Sequence, residues 1–450
     1  MAKLLEEIRE LIRTGTPEEL HALLLPFHPS DLADLLAELD EEERRAVLIA
    51  LAPEPALAAE ALAEMEWDEH PEEALALLEP EQIATLVSAL SDDDAADIIG
   101  ELDPEDQIRV LAALPSLHSG DIRDLLRYHE ETAGGLMTTE LVAIDVELDA
   151  REALEEVRRQ AQEIGEFYNI YVVDGERRLK GTLPLQALVT APVGARIADL
   201  VEPAIVAVPP EMDQEEVGRI ISRYNLVAVP VVDSEGKLLG RITFDDVIDV
   251  LEAETTEDIL RFGGVSDEEE VRGGWQDAVR SRLPWLLLNL VTAAASATVV
   301  VYYAATIERL TLLAALMPVI AGMGGNTGTQ ALAVTIRRLA LSRESPGRRW
   351  AVVLKELAVG LINGLAIGVI AALVTALLAI AFGETLLLAL VVLLAMWMNL
   401  VVAGFAGAFV PIVLERRGVD PAVASSIFVT TFTDMVGFFL LLGLASWMLL

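Results

Sequence analysis

GMGGNTGTQ (Gly322–Gln330) sits after Pro318 in an apolar run from Thr311 to Ile336. Its four glycines, with Asn326, Thr327, Thr329 and Gln330, put polar groups where a purely apolar helix has none. Lipid offers no hydrogen bonds, so irregular backbone at this depth is tolerated only where it lines a cavity or is buried in protein. The expectation is an interrupted helix: a pore loop of Gly324, Gly325, Gly328 and Thr329, with Asn326 presenting a neutral oxygen. Close helix packing through small residues is the other reading, and both can hold together.

Around this stretch lie five apolar segments, each longer than the roughly 20 residues that cross a bilayer. They are Leu283–Ile307, Thr311–Ile336, Leu357–Phe382, Leu386–Leu414 and Ala422–Leu450. Arg337, Arg338, Arg343, Arg348, Arg349 and Lys355 crowd one intervening loop, and Arg416 and Arg417 another, whereas the loops at Glu308–Arg309 and Gly383–Glu384 are nearly devoid of basic residues. Basic loops stay in the cytoplasm. Five spans then leave the N-terminal half cytoplasmic and the C-terminus outside. The start, MAKLLEEIREL, reads without the apolar core of a secretory signal; the expected location of the spans is the inner (plasma) membrane.

The last segment carries Asp434 in VTTFTDMVGFF (Val429–Phe439). An ionisable group in mid-membrane is costly and marks function by default. No Lys, Arg or His lies at comparable depth, so the carboxylate is either protonated against a neighbouring helix or meets an ion. Thr430 and Thr431, one turn earlier, add hydroxyl oxygens on the same side. The chain has no cysteine, and all five histidines precede the spans. Carboxylate, hydroxyl and carbonyl oxygens suit hard cations such as Mg²⁺ and Ca²⁺ rather than soft metals. Mg²⁺ keeps several waters and takes one or two carboxylates; a two-fold dimer with Asp434 on its axis would supply two.

Before the spans the chain is acidic. Of 32 Lys+Arg and 72 Asp+Glu, 12 and 8 lie from Arg272 onward, leaving 20 and 64 before it, a net of −44. Such a surface repels itself and favours multivalent cations, or serves solubility alone; it excludes nucleic acid as a partner. Residues 1–130 read as short amphipathic helices with an internal repeat, Ser30–Leu51 against Asp93–Leu114 and a weaker third copy at Pro80–Leu90, the mark of an all-α superhelix. Residues 131–250 change period: YVVDGERRLKGTLPLQAL (Tyr171–Leu188) and PVVDSEGKLLGRITFDDV (Pro230–Val247) are two copies of an α/β module. Residues 245–272 form an acidic connecting helix and linker, broken by Gly263–Gly264 and Gly273–Gly274.

The two α/β stretches resemble a pair of CBS domains, 131–193 and 194–250. The second copy carries G-x-x-T-x-x-D at Gly240, Thr243 and Asp246, residues that in the family contact an adenosine nucleotide; in isolation Thr243 and Asp246 also read as a helix cap. The first copy has Leu185 and Leu188 at the corresponding Thr and Asp. With AGGLMT (Ala133–Thr138), GGNTG (Gly324–Gly328), GVDPA (Gly418–Ala422) and Asp434, the whole chain resembles the MgtE family of magnesium channels. The resemblance implies a multidomain membrane protein with a five-helix pore domain over 273–450. It implies a homodimer in the lipid bilayer, with Asp434 as the ion-binding carboxylate and a plug-like connecting helix. Mg²⁺ held among cytoplasmic acidic residues would close the gate. The sensor candidates carried over are Asp93, Asp97, Asp213, Glu215, Asp246, Asp249, Glu254, Glu257 and Asp420. Two positions depart from the family pattern: Thr329 stands where an Asn is expected and Asn225 where an acidic residue is expected.

No Walker A pattern, intramembrane Asp pair or phosphorylatable Asp-Lys-Thr-Gly motif occurs, so no enzyme is expected. A proton- or sodium-coupled divalent cation carrier and a CBS-regulated anion channel are the competing functions; the second needs basic residues or helix N-termini in its pore, not Asp434.

Overall fold

The computed structural model describes residues 2–65, 71–75, 78–115, 118–162, 164, 167–192, 194–203, 206–266, 269, 274–341, 346–417, 419 and 425–450. Two compact units emerge, Met1–Glu254 and Thr255–Leu450.

The first unit opens with helices α1 (Ala2–Thr14), α2 (Pro17–Leu24), α3 (Pro29–Ala37), α4 (Glu41–Leu51), α5 (Pro55–Ala63), α6 (Pro71–Leu75), α7 (Pro80–Val87), α8 (Asp92–Gly100), α9 (Pro104–Ala113) and α10 (His118–Leu125). Proline at the first helical turn starts α2, α3, α5, α7 and α9, where its missing N–H costs nothing. Reciprocal capping boxes, Thr16 with Glu19 and Asp40 with Glu43, close the N-termini of α2 and α4. The repeat read from sequence is the pair α3–α4 and its copy α8–α9. α3 packs on α5, α5 on α7 and α7 on α9, so each repeat leans on its neighbour as in a solenoid.

The α/β part follows: β1 (Ala143–Asp145), α11 (Ala150–Gln160), β2 (Asn169–Val173), β3 (Leu179–Pro184), α12 (Leu185–Thr190), α13 (Ile197–Leu200), α14 (Gln214–Tyr224), β4 (Ala228–Val232), β5 (Leu238–Thr243) and α15 (Phe244–Gly263). β2–β3 and β4–β5 are equivalent antiparallel hairpins. Asn169 pairs with Pro184 and Ala228 with Thr243, both members shifted by 59 residues, and each ladder slips at the same place, Val172/Val173 and Val231/Val232. This register puts Pro184 and Ala187, rather than the expected Leu185 and Leu188, at the positions of Thr243 and Asp246. The two turns also pair: Leu179 N–H donates to the Gly236 carbonyl (2.9 Å) and Leu238 N–H to the Arg177 carbonyl (3.0 Å). One apolar core runs from Ile8 in α1 through Ile99 in α8 to Val229, Ile242 and Val247, so the helical repeats and the second α/β copy share it.

The second unit contains α16 (Trp275–Tyr302), α17 (Ala304–Arg309), α18 (Leu312–Leu341), α19 (Pro346–Phe382), α20 (Leu387–Glu415) and α21 (Ser425–Leu449). α16, α19, α20 and α21 are each long and apolar enough to cross a membrane. α18, at 30 residues, is long enough but carries the polar segment, so among the described residues four helices rather than the expected five meet both conditions. The first expected span also ends early: α16 closes at Tyr302, and α17 is a separate short helix. Leu286, Leu287, Leu290 and Val291 of α16 and Ile362, Leu373 and Leu377 of α19 are exposed, a surface that suits hydrocarbon and not water.

The largest correction concerns GMGGNTGTQ. No loop forms: all nine residues lie inside the continuous helix α18. The glycines serve close approach. A β-carbon on Gly324 would collide with the Asn399 amide of α20, and one on Gly328 would stand 2.6 Å from Val429 Cγ1 of α21. Thr329 satisfies its hydroxyl within the helix, donating to the Gly325 carbonyl at 2.9 Å.

Candidate functional site

Within α21 the Asp434 side chain is half-buried, and its carboxylate has no hydrogen-bond or cationic partner among the described residues. Thr430, one turn below, is exposed and donates to the Ser426 carbonyl at 2.8 Å, leaving its oxygen lone pairs free to accept. Thr431 is half-buried, and its carbonyl accepts from Ser296 of α16 at 3.4 Å. α18 lies against this helix: a β-carbon on Gly325 would stand 3.7 Å from Thr430 Cγ2. Gly322, Asn326 and Gln330, spaced by four residues, form an exposed face of α18. The structure therefore puts Thr430 beside the Gly325–Asn326 turn.

In the first unit the expected sensor residues fall into groups. Asp93 and Asp97 lie on α8, and Asp246 opens α15. Burial, reinforced by Asp94, pushes Asp93 up to about 6. Burial, with Asp93 next in weight, pushes Asp246 up to about 6. The dense protein around Asp97, followed by Asp93, pushes it up to about 8 although its side chain still reaches solvent. Glu140, in the segment between α10 and β1, is raised to about 7 by burial and then by Asp92. The Asp93 Oδ1 atom is buried without a hydrogen bond, while Thr139 donates to Asp92. Asp249 is raised by burial and then by Glu64 at the end of α5. A second group gathers where α14 starts. Glu254 accepts from Gln214 at 2.8 Å and is raised first by burial, then by Glu215, Asp213 and Glu131. Asp213 caps α14 by accepting from Glu215 N–H at 3.0 Å, and Glu215 pairs with Arg219. Glu257, past the end of the first unit, pairs with Arg261 along α15. Asp420 lies outside the described residues.

Nearness is not a cage: among the described residues no three carboxylates converge as a ready metal site. Burial first and mutual repulsion second raise these pKa values, and a divalent cation relieves the repulsion with its waters still attached. The sign of the pH effect follows. Folded-state values of about 6 to 8 exceed the roughly 4 of an unfolded carboxylate. The stabilising contribution is complete below about 4 and is lost as pH rises through 6 to 8. In chelator, the protease resistance of the first unit in the full-length protein should fall between pH 5.5 and 8. Millimolar Mg²⁺ should restore it at pH 8 and change little at pH 5.5.

A cavity of about 700 Å³ opens between the two α/β copies. Tyr168, Asn169 and Tyr171 come from the first, and Asn225, Val227, Ala228, Arg241, Thr243, Phe244 and Asp245 from the second. The Tyr171 hydroxyl is buried without a partner, and burial pushes its phenol up to about 12. Of the expected nucleotide residues only Thr243 lines this space. Asp246 instead accepts from the Thr243 N–H (3.2 Å) and hydroxyl as a helix cap. Gly240 makes room for a crossing strand: its β-carbon would stand 2.6 Å from the Thr138 carbonyl, which bonds Arg241 N–H at 2.9 Å.

These features were compared with known proteins. Residues 317–444 match the divalent cation transporter family MgtE, 6–131 the MgtE intracellular N domain, and 133–194 and 197–253 the CBS domain. The magnesium transporter MgtE of Thermus thermophilus is 37% identical over 99% of both chains. That of Enterococcus faecalis is 32% identical over 97% of this chain and 95% of its own. The chain belongs to the MgtE family. Among solved structures, the cytosolic domain of the Mg²⁺ channel MgtE in complex with ATP is 38% identical with a TM-score of 0.51, spanning 55% of this chain and 99% of that one. The soluble part of a magnesium transporter is 31% identical with a TM-score of 0.50, over 56% and 98%.

Against that MgtE frame, sequence reasoning missed several residues. Asp92, Asp94, Glu140, Glu64 and Asp245 sit with the expected carboxylates in the first unit; the run Asp92–Asp94 at a helix start was the available signal. Asn399, fully buried in α20, is a lone amide in an apolar run and was equally visible.

Proposed function

We propose that this MgtE-family chain is a Mg²⁺-selective channel of the plasma membrane that is gated closed by Mg²⁺ on its cytoplasmic side. Asp434 carries the reading. It is a carboxylate in mid-helix with no cation among the described residues to neutralise it, one turn from Thr430, which stands beside Gly325 of α18. Such a group holds a cation, and hard oxygen donors favour Mg²⁺. The magnesium transporter relatives point to the same ion.

The chain works as a homodimer with five spans, α18 among them, its N-terminal units cytoplasmic and its C-terminus outside. The exposed amide face of α18 supports pairing, because in a lone chain it would meet lipid. The domains are 1–130 for ion sensing, 131–193 and 194–250 for the CBS pair, 245–272 for the connecting helix, and 273–450 for the pore. At low cytoplasmic Mg²⁺ the carboxylates of α8, α14 and α15 repel one another. At high Mg²⁺ bound ions hold them together, and α15 passes this state towards the pore. Flux of Mg²⁺ into proteoliposomes tests the reading: flux indifferent to an imposed proton gradient supports a channel, and flux that follows the gradient indicates a coupled carrier.

The cavity between the CBS copies takes an adenosine nucleotide. Its volume falls within the usual range for small-ligand sites. The unpartnered Tyr171 hydroxyl and the Arg241 side chain offer donors for phosphate or ribose, and Thr243 offers a hydroxyl. ATP in the cytosolic domain of the relative agrees with this. Filling the space with Ala228→Trp should abolish ATP binding by calorimetry while leaving the Mg²⁺ response of the first unit intact.

A further inference from the structure

The junction of α18, α20 and α21 holds a side chain that neither the acidic groups nor Asp434 accounts for. Asn399 of α20 is 0% exposed. Its Nδ2 donates to the Ile320 carbonyl of α18 at 3.1 Å, and its Oδ1 is buried with no partner. Two glycines on two different helices make room for this amide. A β-carbon on Gly437 of α21 would stand 2.8 Å from Nδ2, and one on Gly324 of α18 would overlap it. Three helices thus close on one flat group.

A buried oxygen without a donor costs free energy, most of all in a membrane. A leucine of similar volume would avoid that cost, so stability alone does not favour an amide here. The amide supplies two things leucine lacks: a donor to the α18 backbone and a planar end thin enough to lie between two glycines. The consequence reaches Asp434. Gly437 is one turn after it on α21, and Thr433, just before it, is fully buried 3.4 Å from the β-carbon position of Gly324. The height and rotation of α21 against α18 are therefore set on both sides of Asp434 by contacts that meet at Asn399. We infer that Asn399 is a positioning residue for ion passage: it pins α18 and α21 at one spacing and fixes where the Asp434 carboxylate stands. This rests on the reading that the ion passes Asp434.

The test uses the full-length protein in proteoliposomes, with Mg²⁺ and Mn²⁺ as probes, for wild type, Asn399→Leu, Asn399→Ala and Asp434→Asn. Flux is normalised to folded protein, and thermal stability is measured on the same samples. Asn399→Leu should melt close to the wild-type temperature, because the polar cost it removes is offset by crowding of its branched end against Gly324 and Gly437. Its maximal Mg²⁺ flux should fall by about tenfold, the rate equivalent of about 1.4 kcal/mol. The preference for Mg²⁺ over Mn²⁺ should narrow, a change that loss of folded protein cannot produce. Asn399→Ala should narrow it too. Wild-type flux and preference in Asn399→Leu, with Asp434→Asn inactive, would overturn this inference alone. Loss of flux in proportion to loss of folded protein in both Asn399 variants would also overturn it, leaving Asn399 a folding residue. Full activity in Asp434→Asn would remove the ion-site reading and this inference with it.

Discussion

Replacing Asp434 with alanine should cut Mg²⁺ flux into proteoliposomes by about 100-fold while the protein remains folded. Placing an uncompensated charge at bilayer depth costs on the order of 3 kcal/mol, and each 1.36 kcal/mol is a factor of ten in rate. On the proposed path the Asp434 carboxylate supplies the compensating charge, and no described side chain stands ready to replace it. Alanine removes the charge and leaves helix propensity intact. The variant should therefore elute and melt as the wild type does. Unchanged flux would mean that the ion takes a path away from α21.

Gly407→Val should have the second largest effect, on assembly rather than conduction. A β-carbon at Gly407 of α20 would overlap the Gly328 carbonyl of α18 and stand 2.8 Å from Ala331 Cβ and 3.0 Å from Leu332 N. Two of these atoms are backbone, so no rotamer change relieves the clash. Helices α18 and α20 must separate, and in lipid only close packing and the Asn399–Ile320 hydrogen bond oppose that. Overpacking costs about 1–3 kcal/mol in forgiving cores and more where backbone is displaced. The expected result is loss of the monodisperse species in detergent at growth temperature. A variant with wild-type elution and melting would contradict the close approach of α18 and α20.

The α/β copies were legible because two hairpins recur with one offset, and a repeat survives any uncertainty about a single strand. The helical repeats were legible for the same reason, helped by proline at helix starts. GMGGNTGTQ was not. Glycine has one signature in sequence and two uses, freeing backbone or letting it pack, and only the neighbours of Gly324 and Gly328 decide between them. Asp434 announced itself through its setting in an apolar run. Glu140 did not, because it reaches Asp93 through the tertiary fold, and Asp246 came only through the family resemblance. Gly240 and Asp246 show the limit of a motif: both match the nucleotide pattern, yet one admits a crossing strand and the other caps α15.

The central claim is that cytoplasmic Mg²⁺ closes a path that runs past Asp434. Mg²⁺ flux through the wild-type protein, measured as Mg²⁺ at the cytoplasmic face is raised from micromolar to millimolar with the proton gradient collapsed, tests it most directly. The account predicts flux that is high at low cytoplasmic Mg²⁺ and falls steeply as the acidic groups fill. Flux that stays level, or rises with cytoplasmic Mg²⁺, would contradict it.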